Sequence, residues 1–353
     1  MKESLAVFAD TTSDPIVPPK ADRILIVKLS SMGDLFHILP AVRQLKVATG
    51  AKIDWVTHAE YVELVRCFSD VDRVLSYPRR NWIGEIAPFI ADLWNCRYDL
   101  VLDLQGLLKS AIPSRLARSR HVIGPSYRRE GARIFYSSVA GHLNKNRHAV
   151  DEALDVVRFL GCPEQEPEFP VCFPKVRRLE SGVRVALAPF SRWSTKNWSL
   201  ERFAQMAREL NARIPITFYL MGGASDEEAG RRLARAMTGL HVVFCCGGLS
   251  LIETGSLLQE MDLAITVDSG PMHMAAALGV PILALFGPTD PARTGPYGSK
   301  HRVLWVDGLP CRPCFSNTCA RKDHACLVRI FPSQVVDTAA EILKFIPHDR
   351  FRL

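Results

Sequence analysis

From Arg23 onward, short β-rich runs alternate with amphipathic ones, and the whole series occurs twice. The first series opens with "RILIVKL", after which Leu35, Ile38, Leu39, Val42 and Leu45 recur at helical spacing. Pro40 implies a kink in that helix or a late start. "KIDWVT", a helix over 59–68, "RVLSYP", a helix over 82–95, "YDLVLDLQG", a basic segment and the helix "HAVDEALDVVRFLG" follow. "CPEQEPEFPVCFPKVRRLESG" then carries four prolines and no period, which marks a linker. The second series runs through "VRVALAP", helix 199–212, "PITFYLMGG", helix 226–237, "HVVFCC", helix 250–261, "DLAITVD", helix 271–278 and "PILALFG". Such alternation demands parallel sheets covered by helices on both faces. The expected fold is therefore α/β, with two Rossmann-like domains whose ligands bind beyond the carboxyl ends of the strands, in the cleft between them. Residues 1–22 read as a leader, 23–162 as the first domain, 163–182 as the linker and 183–332 as the second domain. A final amphipathic helix, Ser333–Ile346, is expected to pack back on the first domain.

Charge is concentrated rather than spread. Between Leu107 and Arg147 stand nine Lys/Arg against one acidic residue, Glu130, more than the net +7 of the whole chain. That segment calls for an anionic partner such as phosphates, a carboxylated glycan or an acidic membrane surface, unless it is simply a solvated face. It lacks the aromatic platform that stacks bases, which argues against nucleic acid. No apolar run approaches the ~20 residues of a membrane span, and the N-terminus has no signal-peptide core. Ten cysteines without an export signal suit a reducing compartment. Four of them, Cys311, Cys314, Cys319 and Cys326, are spaced C-x2-C-x4-C-x6-C with His324 between. They fit either a zinc or iron knuckle or a set of free thiols.

Two junctions carry the chemistry. "KLSSMGDLFH" (28–37) places a small, glycine-bearing loop ending in Asp34 between strand and helix. Asp34 would stand at the helix mouth, as a reacting group or as a capping residue. "TVDSGPMHMAAALG" (266–279) repeats the pattern, with Asp268, Ser269, Gly270 and His273 at a helix N-terminus suited to phosphate. "APFSRWSTKNWS" adds Ser191, Thr195 and Lys196 ahead of a Ser199-capped helix. "MGGASDEE" adds Asp226 and Glu227, which can accept from sugar hydroxyls or merely favour the helix dipole. The three of these loops that lie in the second domain together offer groups for phosphate, cation and hydroxyls, as a nucleotide-sugar site requires. Neither G-x-G-x-x-G nor a Walker A sequence is present.

"RILIVKLSSMGDLFHILPAVRQLK", "DLQGLLKSA", "STKNW", "VDSGPMHMAAALGVPILALFGPTDP" and "GPYG" together resemble the bacterial lipopolysaccharide heptosyltransferases of glycosyltransferase family 9. The resemblance runs from about Arg23 to the final helix, and the "SSMGD" form stands nearest the heptosyltransferase I branch. It implies a GT-B fold with an acceptor-binding first domain and a nucleotide-sugar-binding second domain. It implies inverting transfer of heptose from ADP-heptose to Kdo of the inner core (Kdo-lipid A), without a required cofactor. Asp34 would be the general base, with Ser30 and Ser31 in the same loop. Ser191 and Lys196 would meet the diphosphate. Asp268, Ser269, Gly270 and His273 would hold the donor, and Glu227 and Leu249 would contact its heptose and adenosine parts. Arg79, Arg80, Lys109 and Arg129 match positions that meet the anionic glycolipid acceptor. Peripheral contact with the inner membrane, at its cytoplasmic face, goes with that substrate. Other readings are a related transferase with a different glycan or protein acceptor, or a nucleotide-sugar-binding protein without turnover. The leader and the cysteine cluster depart from the resemblance.

Overall fold

The computed structural model describes residues 21–345, except 80, 81, 145, 177, 178, 180 and 181. The proposed leader up to residue 20, Arg80 and Ile346 lie outside the described residues. The first sheet comprises β1 (Arg23–Val27), β2 (Lys52–His58), β3 (Arg73–Tyr77), β4 (Leu100–Asp103), β5 (Val122–Pro125) and β6 (Ser138–Ala140), in the order β3-β2-β1-β4-β5-β6. The second comprises β7 (Val183–Ala188), β8 (Ile216–Gly222), β9 (His241–Cys246), β10 (Leu263–Val267), β11 (Ile282–Phe286) and β12 (Arg302–Trp305), in the order β12-β11-β10-β7-β8-β9. Every pairing within them is parallel. The order reverses between β1 and β4 and between β7 and β10, so each sheet has one switch point. Central strands are buried along their length, as uninterrupted Ile, Leu, Val and Ala runs require when helices cover both faces.

In the first half the helices are α1 (Met32–His37), α2 (Leu39–Thr49), α3 (Val62–Val65), α4 (Trp82–Trp94), α5 (Leu108–Leu116) and α6 (Ala149–Phe159). In the second they are α7 (Leu200–Arg213), α8 (Glu227–Ala236), α9 (Leu251–Leu258), α10 (Gly270–Ala277), α11 (Pro291–Thr294), α12 (Ala325–Val328) and α13 (Pro332–Lys344). Pro40 does not bend a helix. The chain breaks at Ile38, and Pro40 takes the second position of α2, where a missing N–H leaves no hydrogen bond unmade. Ser199 caps α7 as expected, its hydroxyl accepting from the Arg202 N–H. The basic segment is more ordered than its charge alone suggests, since it holds α5, β5 and β6.

The linker crosses under restraint. Val171 bridges Phe68 in the first half. Phe173 fills the space beside Gly255 of α9, where an added Cβ would stand 2.5 Å from the ring. A single apolar cluster joins Ile24, Phe36 and Trp55 of the first half to Met272, Met274 and Phe286 of the second.

The final helix corrects one expectation. Instead of returning to the first domain, α13 packs on α7, β10 and β11. Its Val335, Val336, Ala339 and Leu343 share a core with Phe203, Ala207 and Leu210. Amphipathic spacing fixes which face is apolar but not which core receives it. Leu343→Ala should therefore destabilise the protein by about 2–4 kcal/mol, read as a lower urea midpoint for tryptophan fluorescence. An unchanged midpoint would mean that α13 is not part of that core.

Candidate active site

The loops after β1 and β10 face each other, and two glycines make their close approach possible. A Cβ on Gly33 would stand 2.3 Å from Cδ2 of His273, and one on Gly270 would stand 1.9 Å from Cε of Met32. Each helix N-terminus thus lodges a side chain from the opposite half. The space at Gly270, read from sequence as room for a phosphate, is taken up by Met32.

Asp34 is both a capping residue and an accessible carboxylate. Its Oδ2 accepts from the Ser31 N–H (2.9 Å) and the Ser31 hydroxyl (2.8 Å). Its side chain nevertheless remains 42% exposed. Its Oδ1 lies 3.7 Å from His37 Nδ1. Burial pushes the Asp34 carboxyl up, but His37, Lys28 and the Ser31 N–H outweigh it and hold the group well below the usual carboxylate range. Asp34 is therefore ionised at neutral pH. Ser30 and Leu29 donate their N–H groups to Gln105 Oε1, both at 3.2 Å, which ties the loop to the end of β4.

Lys28, at the end of β1, is the residue that sequence reading passed over. Its ammonium is buried and donates to the Leu104 carbonyl at 2.9 Å. Burial lowers its pKa, opposed by Asp34, Asp103 and Glu152. The signal was there: a lysine closing an apolar strand, directly before the loop that holds Asp34.

His37 links the two halves. Its Nε2 lies 3.0 Å from Nδ1 of His273, with both rings buried. Burial and His37 hold the His273 pKa well below its ordinary value, so this imidazole is neutral at pH 7. A third imidazole, His148, packs edge-on against His37 with centroids 5.5 Å apart. Its Nδ1 accepts from the Val150 N–H, so Nε2 carries the proton and donates to the Gly295 carbonyl at 3.0 Å. Burial, reinforced by His37, pushes the His148 pKa down to about 4. The sequence reading turned His273 toward a bound phosphate. In the folded chain its ring is engaged with His37 and Gly33, and its Nε2 lies 4.0 Å from Asp268 Oδ1.

Asp268 organises the second loop. Its Oδ2 accepts from the Thr289 hydroxyl at 2.6 Å and pairs with Lys196 Nζ at 2.7 Å. The Lys196 ammonium also sits 4.7 Å over the Trp193 ring. Ser269 precedes α10 with a buried hydroxyl that has no hydrogen-bond partner among the described residues. A free hydroxyl beside the open N–H groups of a helix start suits an anionic ligand. The Ser191 hydroxyl is engaged locally, donating to the Trp193 carbonyl at 2.9 Å. Glu227 pairs with Arg231 at 2.6 Å and borders Gly247, two residues before Leu249. The remaining residues are dispersed. Arg79 pairs with Glu60 at 2.6 Å on the surface. Lys109 is the second residue of α5, close enough to Lys28 to oppose its charge. Arg129 donates its N–H to the Gly106 carbonyl at 2.8 Å.

The cysteine segment buttresses the second half. Cys314 and Phe315 donate N–H groups to the Pro288 carbonyl, both at 3.0 Å, and the Ser316 carbonyl accepts from the Thr195 hydroxyl at 2.9 Å. All four thiols are free. Among the described residues, no group of three or more His, Cys, Asp or Glu side chains forms a metal site.

The profile of glycosyltransferase family 9 (heptosyltransferase) matches residues 86–325. The chain belongs to glycosyltransferase family 9. This family member is 31% identical over 360 residues to lipopolysaccharide heptosyltransferase 1 of Pseudomonas aeruginosa, spanning 92% of this chain and 99% of that one. Its fold matches the Escherichia coli heptosyltransferase WaaC solved with ADP at a TM-score of 0.75 and 27% identity, covering 91% of this chain and 99% of that one. The same enzyme with ADP-2-deoxy-2-fluoro heptose gives 0.72 at 27% identity, covering 90% and 99%. The family 9 chain is accordingly a glycosyltransferase of the GT-B fold.

Gly33→Ala tests the meeting of the two loops. The added methyl must displace His273, and turnover should fall by up to about a hundredfold, as for a misplaced catalytic group, while circular dichroism stays native. Wild-type turnover would mean that this close packing does not set the position of Asp34.

Proposed function

We propose that this family 9 enzyme transfers heptose from ADP-heptose to a Kdo residue of the lipopolysaccharide inner core, borne on lipid A, with inversion at the anomeric carbon. The observation that carries the reading is the run of contacts from Asp34 through His37 and His273 to Asp268 and Lys196, which supports a base on one loop acting with donor-binding groups on the other. The Escherichia coli enzyme solved with ADP and with ADP-2-deoxy-2-fluoro heptose supplies the nucleotide and the sugar of this reading. The basic segment supports an anionic acceptor.

The reaction is then a single displacement. The acceptor hydroxyl attacks the anomeric carbon from the face opposite ADP, and its proton passes to Asp34 as the new C–O bond forms. The bond from that carbon to the diphosphate oxygen breaks, and ADP leaves with its electron pair. The free hydroxyl of Ser269 at the start of α10 and the ammonium of Lys196 meet the charge that develops. A carboxylate with a depressed pKa is a weak base. It suffices where proton transfer lags bond formation, because the hydroxyl becomes acidic only as its oxygen bonds to the sugar. Ser191, Glu227 and Leu249 complete the donor side, and His273 ties that side to the Asp34 loop through His37. Ser30, Ser31, Arg79, Lys109 and Arg129 line the acceptor side, toward the cytoplasmic face of the inner membrane.

Asp34→Asn should lower kcat by about 10²–10⁴-fold and leave ADP-heptose affinity nearly unchanged in calorimetry. Full turnover in this variant would return Asp34 to a capping role. Lys196→Ala should weaken ADP-heptose binding by roughly tenfold or more, the worth of one charge-assisted hydrogen bond. Because Lys196 lies in the second half, the acceptor KM should change little. A wild-type donor constant in Lys196→Ala would remove this lysine from the diphosphate.

A further inference from the structure

We propose that the outer face of α5, together with Ile134 and Trp94, docks this enzyme on an anionic lipid bilayer. The surface is read from exposure and charge, while its purpose rests on the lipid-borne acceptor proposed above.

The polarity of α5 is inverted. Its buried side carries Ser110, Ala111, Pro113 and Ser114, while Leu108, Ile112 and Leu116 are exposed. Those three are spaced i, i+4 and i+8, so they form one line along the helix. A soluble helix normally turns such a line inward.

Neighbouring elements extend the surface. Trp94, itself exposed, donates its indole N–H to the Leu116 carbonyl at 2.9 Å, which places it at the far end of α5. The Arg118 guanidinium lies 5.4 Å from the Trp94 ring centre. A 3₁₀ turn, Ala132–Phe135, packs against α5 and holds Ile134 82% exposed. Lys109 and Arg115 flank the aliphatic line, and Arg133 flanks Ile134. The one acid of this segment, Glu130, is engaged: its carboxylate accepts from the Leu108 N–H at 3.2 Å.

Aliphatic side chains, an indole and a dense set of cations suit the headgroup boundary of an anionic membrane. The cation density favours that occupant over a second copy of this basic chain, which would bring like charge against like charge. Geometry adds a reason. The helix starts just beyond the carboxyl end of β4, and Lys109 is close enough to Lys28 and His58 to oppose protonation of both. A bilayer lying against α5 would present a lipid-anchored sugar at the mouth of the cleft.

The test is sedimentation of the full chain with phosphatidylcholine vesicles, with and without phosphatidylglycerol and containing no sugar acceptor. Wild type should pellet with the anionic vesicles only, and less so as salt rises. Ile112→Glu/Leu116→Glu/Ile134→Glu should bind them at least about tenfold more weakly, with the ADP affinity and thermal midpoint of wild type. Arg115→Ser/Arg118→Ser, which spares the apolar line, should lose about fivefold per charge removed. Wild-type chain left in the supernatant, or variants that pellet like wild type, would overturn the proposal. So would a wild-type dimer in ultracentrifugation that the triple variant abolishes, because a second copy would then cover the face. Inactivity on every Kdo-bearing acceptor would instead sink the reaction proposed above and leave vesicle binding as it stands.

Discussion

The contact on which the site depends is the insertion of two helix starts into one another across the halves. Gly33 receives the ring of His273, Gly270 receives the thioether of Met32, and His37 bonds His273 at 3.0 Å. Neither β1 nor β10 pairs with a strand of the other sheet, so the approach of the Asp34 loop to the Asp268 loop rests on side chains. The glycines act here through the room their missing side chains leave for a neighbour, rather than through unusual backbone angles. The apolar cluster shared by both halves surrounds the contact and keeps water from the imidazole pair.

Charge inside the site is balanced by proximity rather than by exposure. Lys28 is buried among Asp34, Asp103 and Glu152, and Glu152 in turn lies 3.6 Å from Arg293 of the second half. Burial raises the pKa of Glu152, with Arg293 and Arg147 opposing. Removing Lys28 would take away the buried cation that these three acids share. The imidazoles of His148 and His273 are kept neutral by burial, reinforced by His37.

Much of this was legible in the sequence, for identifiable reasons. The two parallel sheets follow from uninterrupted apolar runs alternating with helical periods. The loops of Asp34 and Asp268 follow from small residues placed between strand and helix. What escaped depends on long-range contact. The pairing of His37 with His273 spans 236 positions, and no local pattern announces it. Lys28 gains its meaning only when Asp34, Asp103 and Glu152 surround it. The edge strands β6 and β12 are short and only partly buried, so their sequences lack the run that marks the central strands. α13 showed its apolar face but not its destination, which the core of the second half supplies.

The crossing between the halves has a mechanical consequence. Val171 is fastened to Phe68 on one side, and Phe173 is wedged against Gly255 on the other. Only Cys172 stands between these two anchorages, and its own N–H is held by the Cys67 carbonyl at 2.9 Å. Such a joint can swivel but has no slack with which to lengthen. Along this crossing the halves can therefore roll about a fixed bearing, as a door turns on its pin, and cannot draw apart like the jaws of a vice.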